Sequence, residues 1–159
     1  MNLVKKMDLI GDQAIPGMPF LGYYLEEKPH WLGMIQHHEI HFYGNEESPQ
    51  LERLATAQRV LPVLDVLELR ARTAVMNHVS DGTDPFSDWA LWIVYFGLDG
   101  TEPYDEFILD FCWGPWDCST PIYAHYRLNS EHPEESTLLG FSGGFESNWC
   151  GKIAPPPAE

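Results

Sequence analysis

Trp89-Ala-Leu-Trp-Ile-Val-Tyr-Phe96 is the most apolar and β-prone stretch of the chain, and Phe107-Ile-Leu-Asp-Phe-Cys-Trp113 is its natural partner. A short apolar run can be helix or strand. Its aromatic and β-branched content, its brevity and the flanking Asp84-Pro85 and Asp99-Gly100 favour a strand. Alternation places Trp89, Leu91, Ile93 and Tyr95 on one face and Ala90, Trp92, Val94 and Phe96 on the other. Both sets are apolar, which predicts an interior strand covered on both sides. In the partner, Phe107, Leu109, Phe111 and Trp113 alternate with the mixed set Ile108, Asp110 and Cys112. A turn-rich acidic connection, residues 97–106, joins the two strands. Antiparallel pairing follows, because parallel pairing needs a long crossover.

Working outward, Ile122, Ala124, Tyr126 and Leu128 point inward on a third strand, with Tyr123, His125 and Arg127 outward. Ser136–Ser142 reads as a last strand. Towards the N-terminus, residues 1–19 read as a loose lead-in with one short strand or turn around Leu3–Ile10, and Phe20–Leu25 as a short strand. Trp31–Gln36 and Glu39–Tyr43 form a hairpin turning at His37-His38, or one continuous strand over 31–43. Ser48-Pro49 predicts a helix start, Ser at the N-cap and Pro at the first turn. The helical pattern then runs from Gln50 to Val79, with a kink or break near Val60–Leu61 because Pro62 lacks the N–H the ladder needs. Strands, helix, strands is the order of an α+β fold: an antiparallel sheet, N-terminal hairpin plus C-terminal meander, with one long Pro-kinked helix or helix pair packed on a face. Residues 1–150 form a single domain. Residues 151–159, which include three prolines in a row, form a disordered tail.

Charge narrows the function classes. The chain has 159 residues and a net charge of −15, from 24 acids against 9 Lys and Arg. That argues against phosphate-mediated nucleic-acid binding and against docking on anionic membranes. It suits a basic protein partner, where charge speeds encounter and steers orientation. No signal peptide or membrane span is read, so the expected location is cytoplasmic. Three cysteines, Cys112, Cys118 and Cys150, show no metal spacing and read as reduced thiols, with a Cys112–Cys118 bridge as the alternative.

Three constellations could carry chemistry. On a straight strand His37, Glu39 and His41 share a face and could form a two-His, one-carboxylate metal site; a hairpin turn at 37–38 would dissolve that alignment. Ser142 sits in Gly140-Phe-Ser-Gly-Gly144, but the strand–elbow–helix context is missing and no His follows it. Acids and aromatics interleave in Asp99, Glu102, Tyr104, Asp105, Glu106, Trp116 and Asp117, a composition that suits a protein-binding surface.

The Trp31-Leu-Gly-Met-Ile strand, the helix from Ser48-Pro49, the Leu-Asp-Gly end of the Trp89–Gly100 stretch, the Phe107–Trp113 strand and the late Leu139-Gly-Phe-Ser-Gly143 carry a resemblance. The layout over about residues 20–145 resembles small bacterial α+β domains of unknown function, several of them taken to be immunity proteins of toxin systems. The resemblance implies a non-catalytic acidic protein, needing no cofactor, that binds and blocks a basic toxin. Two alternatives stay open: a metal-dependent enzyme at His37, Glu39 and His41, and a homo-oligomer that covers the second face of the central strand.

Overall fold

The computed structural model describes residues 5–24, 29–78, 89–113 and 117–143, with the backbone alone at 23–24, 75–78, 89, 113, 117–120 and 143. The Pro-rich tail over 151–159 and Trp116 lie outside the described residues. The strands are β1 (Lys6–Asp8), β2 (Phe20–Tyr24), β3 (His30–Ile35), β4 (His38–Tyr43), β5 (Trp89–Phe96), β6 (Glu106–Trp113), β7 (Asp117–Arg127) and β8 (Thr137–Gly143). The helices α1 (Leu51–Val60) and α2 (Leu64–His78) stand between β4 and β5. The fold is α+β, but hairpin and meander merge into one eight-stranded sheet whose strand order is the chain order. The sheet is mixed, not antiparallel throughout: β4 and β5 pair in parallel from Glu39↔Ile93 to Phe42↔Phe96. Two consecutive parallel neighbours require the chain to travel back along the sheet, and the helical segment makes that return.

The helices cover one face. Leu54, Ala57, Val60, Leu64, Leu67 and Ala71 pack in one cluster with Ile40, Phe42, Val94, Phe96, Phe107, Leu109 and Tyr126. Phe42 stacks on Phe96 with ring centroids 5.3 Å apart, and Phe107 stacks on Tyr126 at the same distance. The Tyr126 hydroxyl donates to the Leu67 carbonyl at 2.6 Å, so the phenol both fills the core and pins β7 to α2. Pro62 acts as expected: Leu61–Val63 is a 3-10 turn separating α1 from α2.

Four local expectations are corrected. The helix begins at Leu51 with Gln50 as its cap, not at Ser48. Ser48 and Pro49 are spent on closing a turn, in which Gly44 bridges Pro49 and the Gln50 N–H donates to the Tyr43 carbonyl. The hairpin turns at Gln36-His37, one residue earlier than expected, with Ile35 opposite His38. Gln36 alone takes a positive φ of 54°, as the first loop position of a II′ turn does. In β5 the register slips between Leu91 and Ile93, so Trp92 is a bulge. Strict alternation therefore fails. Leu91 joins Val94 and Phe96 in the helix-side core, and Ile93 and Tyr95 take the opposite face. The lead-in is packed, not loose, over its described part: Leu9, Ile15 and Met18 are buried, and the Gln58 side-chain amide donates to the carbonyls of Asp12 and Ala14.

Candidate functional site

The sheet face away from the helices is lined with titratable groups. Cross-strand register puts Leu32 opposite His41, Met34 opposite Glu39, His41 beside Tyr95, Asp110 beside Tyr123, and Tyr123 beside Ser142. Much of its centre is buried within the single chain: His30, Tyr95, Ile108, Asp110 and Cys112 are all under a tenth exposed. Apolar alternation in β6 anticipated a mixed face here. That the face continues across six strands, β3 to β8, follows only from the pairing.

One hydrogen-bonded chain crosses this face. His30 Nε2 lies 2.8 Å from the Leu98 carbonyl, His30 Nδ1 lies 3.4 Å from His41 Nδ1, and His41 Nε2 lies 3.1 Å from Glu39 Oε1. A carbonyl only accepts, so His30 Nε2 carries the proton of that ring when neutral. Its Nδ1 is then an acceptor, and His41 must donate to it. With Glu39 ionised, the third contact is the His41 Nε2–H donating to Oε1. In agreement, the hydrogen bond from His41 holds the Glu39 carboxyl below the usual glutamate range, against the opposing effect of burial.

The neighbouring phenols stay protonated. Tyr95, edge-on to His41 at 5.1 Å between centroids, is pushed far above its ordinary value by burial, with the Asp110 charge adding to it. Burial and then Asp110 push Tyr123 up to about 12. Both therefore stay uncharged phenols near neutrality. The Cys112 thiol points its sulfur at Asp110 Oδ1, 3.7 Å away.

Further along the face His125 Nε2 lies 2.6 Å from Ser142 Oγ. Chain order offered Ser142 no histidine downstream. The antiparallel β7–β8 pair supplies one from upstream, an arrangement readable only from hairpin register.

His37, Glu39 and His41 do not come together as a triplet. Glu39 and His41 share a β4 face and bond to each other, while His37 is an exposed residue of the hairpin turn. His30, from β3, takes the place beside His41. Among the described residues no group of three or more His, Cys, Asp or Glu is arranged to hold a metal ion.

The acidic connection between β5 and β6 is a built loop. Gly97 and Gly100 have φ of 87° and 89°, and a Cβ at either would overlap Tyr43. The Glu102 carboxylate turns inward and accepts the backbone N–H groups of Leu98, Asp99 (3.3 Å) and Gly100 (3.0 Å). Arg53 of α1, 1% exposed, reaches the other side. Its guanidinium donates to the carbonyls of Glu102 (2.8 Å) and Pro103 (3.3 Å) and to Gln50 Oε1 (2.5 Å), and sits 5.0 Å from the Tyr104 ring centroid. The Thr56 hydroxyl donates to the Tyr104 carbonyl at 2.7 Å. Asp99 accepts from the Thr101 hydroxyl and N–H, which hold its carboxyl below the usual range. The seven residues expected to meet a partner are thus divided. Asp99, Tyr104 and Asp105 are exposed, Glu102 is consumed by the loop itself, and Glu106 pairs with Arg127 at 3.2 Å. Asp117 begins β7 with its backbone alone described, and Trp116 lies outside the described residues. Arg53 was the miss: its place beside the apolar stripe of α1 gives no sign of burial.

No family model, curated protein or solved structure matches this chain. Among the described residues no helix is long and apolar enough to cross a membrane.

Proposed function

We propose that this chain is a non-catalytic acidic protein-binding domain of the immunity type, acting in the cytoplasm by docking on and blocking a basic protein. The observation that carries the reading is the 97–105 loop, which Glu102 and Arg53 hold from both sides while Asp99, Tyr104 and Asp105 stay exposed. A loop already fixed in shape spends little entropy on binding. An aromatic side chain between carboxylates is the composition of a recognition rim. The net charge of −15 supports the same reading by raising the encounter rate with a cationic surface.

The test is the association rate with candidate basic proteins, products of neighbouring genes first, measured across ionic strength. Charge-steered association should slow by about tenfold or more between ~0.05 and ~0.5 M salt, as the Debye length contracts. The double substitution Asp99→Asn, Asp105→Asn should slow association at low salt and leave the fold intact. An association rate indifferent to salt and to these substitutions would sink the proposal.

A further inference from the structure

The sheet opens between β2 and β3. Their pairing runs from Tyr24↔His30 to Gly22↔Leu32 and goes no further. Phe20 and Leu21 continue to pair with β1 on one side, and Gly33 and Met34 with β4 on the other. The parting leaves a cleft of about 340 Å³, lined by Met18, Phe20, Leu32, Gly33, Met34 and Glu39. Phe20 and Met34 are 43% and 54% exposed, large apolar side chains left in water at its mouth. Gly33 lies at the floor, where a Cβ would overlap the Met18 sulfur and displace that side chain.

Its single charged lining residue is Glu39. One oxygen of that carboxylate is taken by His41, and the side chain remains 36% exposed. A cation already rests on the aromatic wall: Lys6 Nζ lies 4.2 Å from the Phe20 ring centroid. Two thioethers and a phenyl ring form a soft, adaptable apolar lining, and a carboxylate marks one end. That is the complement of a side chain with a long apolar stem and a cationic head. The volume falls within the range of small-ligand pockets.

We infer that this cleft receives a lysine or arginine side chain of the basic protein partner, its stem against Phe20 and Met34 and its head on Glu39. The inference rests on the proposed function, whose acidic chain and basic partner it shares.

The experiment uses the full chain labelled at its methionine methyl groups and observed by NMR. Two probes share a stem and differ in charge: Nα-acetyl-arginine methylamide and Nα-acetyl-norleucine methylamide. The arginine probe should shift the Met34 and Met18 methyl signals saturably and bind roughly threefold to fivefold more tightly than norleucine, as a partly exposed ion pair allows. Glu39→Gln should bring the arginine probe down to the norleucine level. Phe20→Ala, at an exposed position, should weaken both probes. The basic protein used in the salt experiment should displace the arginine probe. Equal affinity of the two probes, silence at both methionines, or no effect of either substitution overturns the inference. Protein binding that keeps its salt dependence but leaves the probe in place refutes the cleft and spares the proposed function. Probe binding without any salt-sensitive protein partner refutes the source named here and assigns the cleft to free cationic small molecules.

Discussion

Replacing Arg53 by methionine should release the 97–105 loop. Methionine keeps an apolar stem in a position that is 1% exposed and removes the guanidinium. The Glu102 carbonyl and Gln50 Oε1 lose a donor, while the Pro103 carbonyl keeps the Glu106 N–H at 3.1 Å. Leaving a buried polar group unmatched costs about 1–3 kcal/mol, so the half-buried Glu102 carbonyl costs ~1–2 kcal/mol, taking the lower half of that range. The lost contact with the exposed Tyr104 ring adds ~0.5–1 kcal/mol. Removing a buried cation gives back part of its desolvation, which opposes both. The net expectation is a destabilisation of about 1–2 kcal/mol. With a urea slope of ~2 kcal/mol/M the unfolding midpoint should fall by about 0.5–1 M. Amide exchange at Leu98, Asp99 and Gly100 should quicken beyond what the global change explains, because Glu102 loses the backbone anchor that aims its carboxylate. Arg53→Lys should recover only a minor part, since one ammonium cannot serve three acceptors set apart by a planar fork. A midpoint within ~0.3 M of the parent protein, with loop amide protection unchanged, would refute the reasoning.

Gly33→Ala should destabilise the protein by about 1 kcal/mol, the low end for overpacking, because the new methyl displaces the buried but flexible Met18 thioether; thermal unfolding of the variant checks it. The Glu39 carboxyl is held below 4.5, so its share of stability is present above about pH 4.5 and is lost as pH falls through the folded-state value. Glu39→Gln should therefore flatten that part of the acid limb of the stability curve, and an unchanged acid limb would contradict the His41 hydrogen bond. Tyr95 is shifted the other way. Its contribution is intact below about pH 10, the ordinary phenol value, and is lost as pH rises above it. Tyr95→Phe should lessen the alkaline loss of stability, with phenolate absorbance following the titration.

Much of the chain's local structure was legible because it depends on near neighbours. The alternation in Phe107–Trp113 and in Ile122–Leu128 placed the core residues Phe107, Leu109, Phe111, Ile122, Ala124 and Tyr126 correctly. Pro62 announced the break between α1 and α2 by its missing N–H. The candidate site was less legible. The acidic loop was located by its composition, but composition could not tell that Glu102 faces inward while Asp99 and Asp105 face out. That depends on which backbone N–H groups two positive-φ glycines turn towards the carboxylate.

By itself, then, the sequence determined the element types, the acidic character and the interior place of Trp89–Phe96. Propensity, periodicity and charge are properties of short windows and of sums. The tertiary structure alone decided that β5 lies parallel to β4, which brings Tyr95 beside His41. It alone decided that the Trp92 bulge sends Leu91 to the helix side, that Arg53 is buried under a loop 49 residues away, and that His30 reaches His41 across a hairpin. Apart from the His30–His41 contact, made within one hairpin, each of these is a pairing between distant segments. Its energy exists only once the sheet has closed around the helices, and no window of the chain contains both partners.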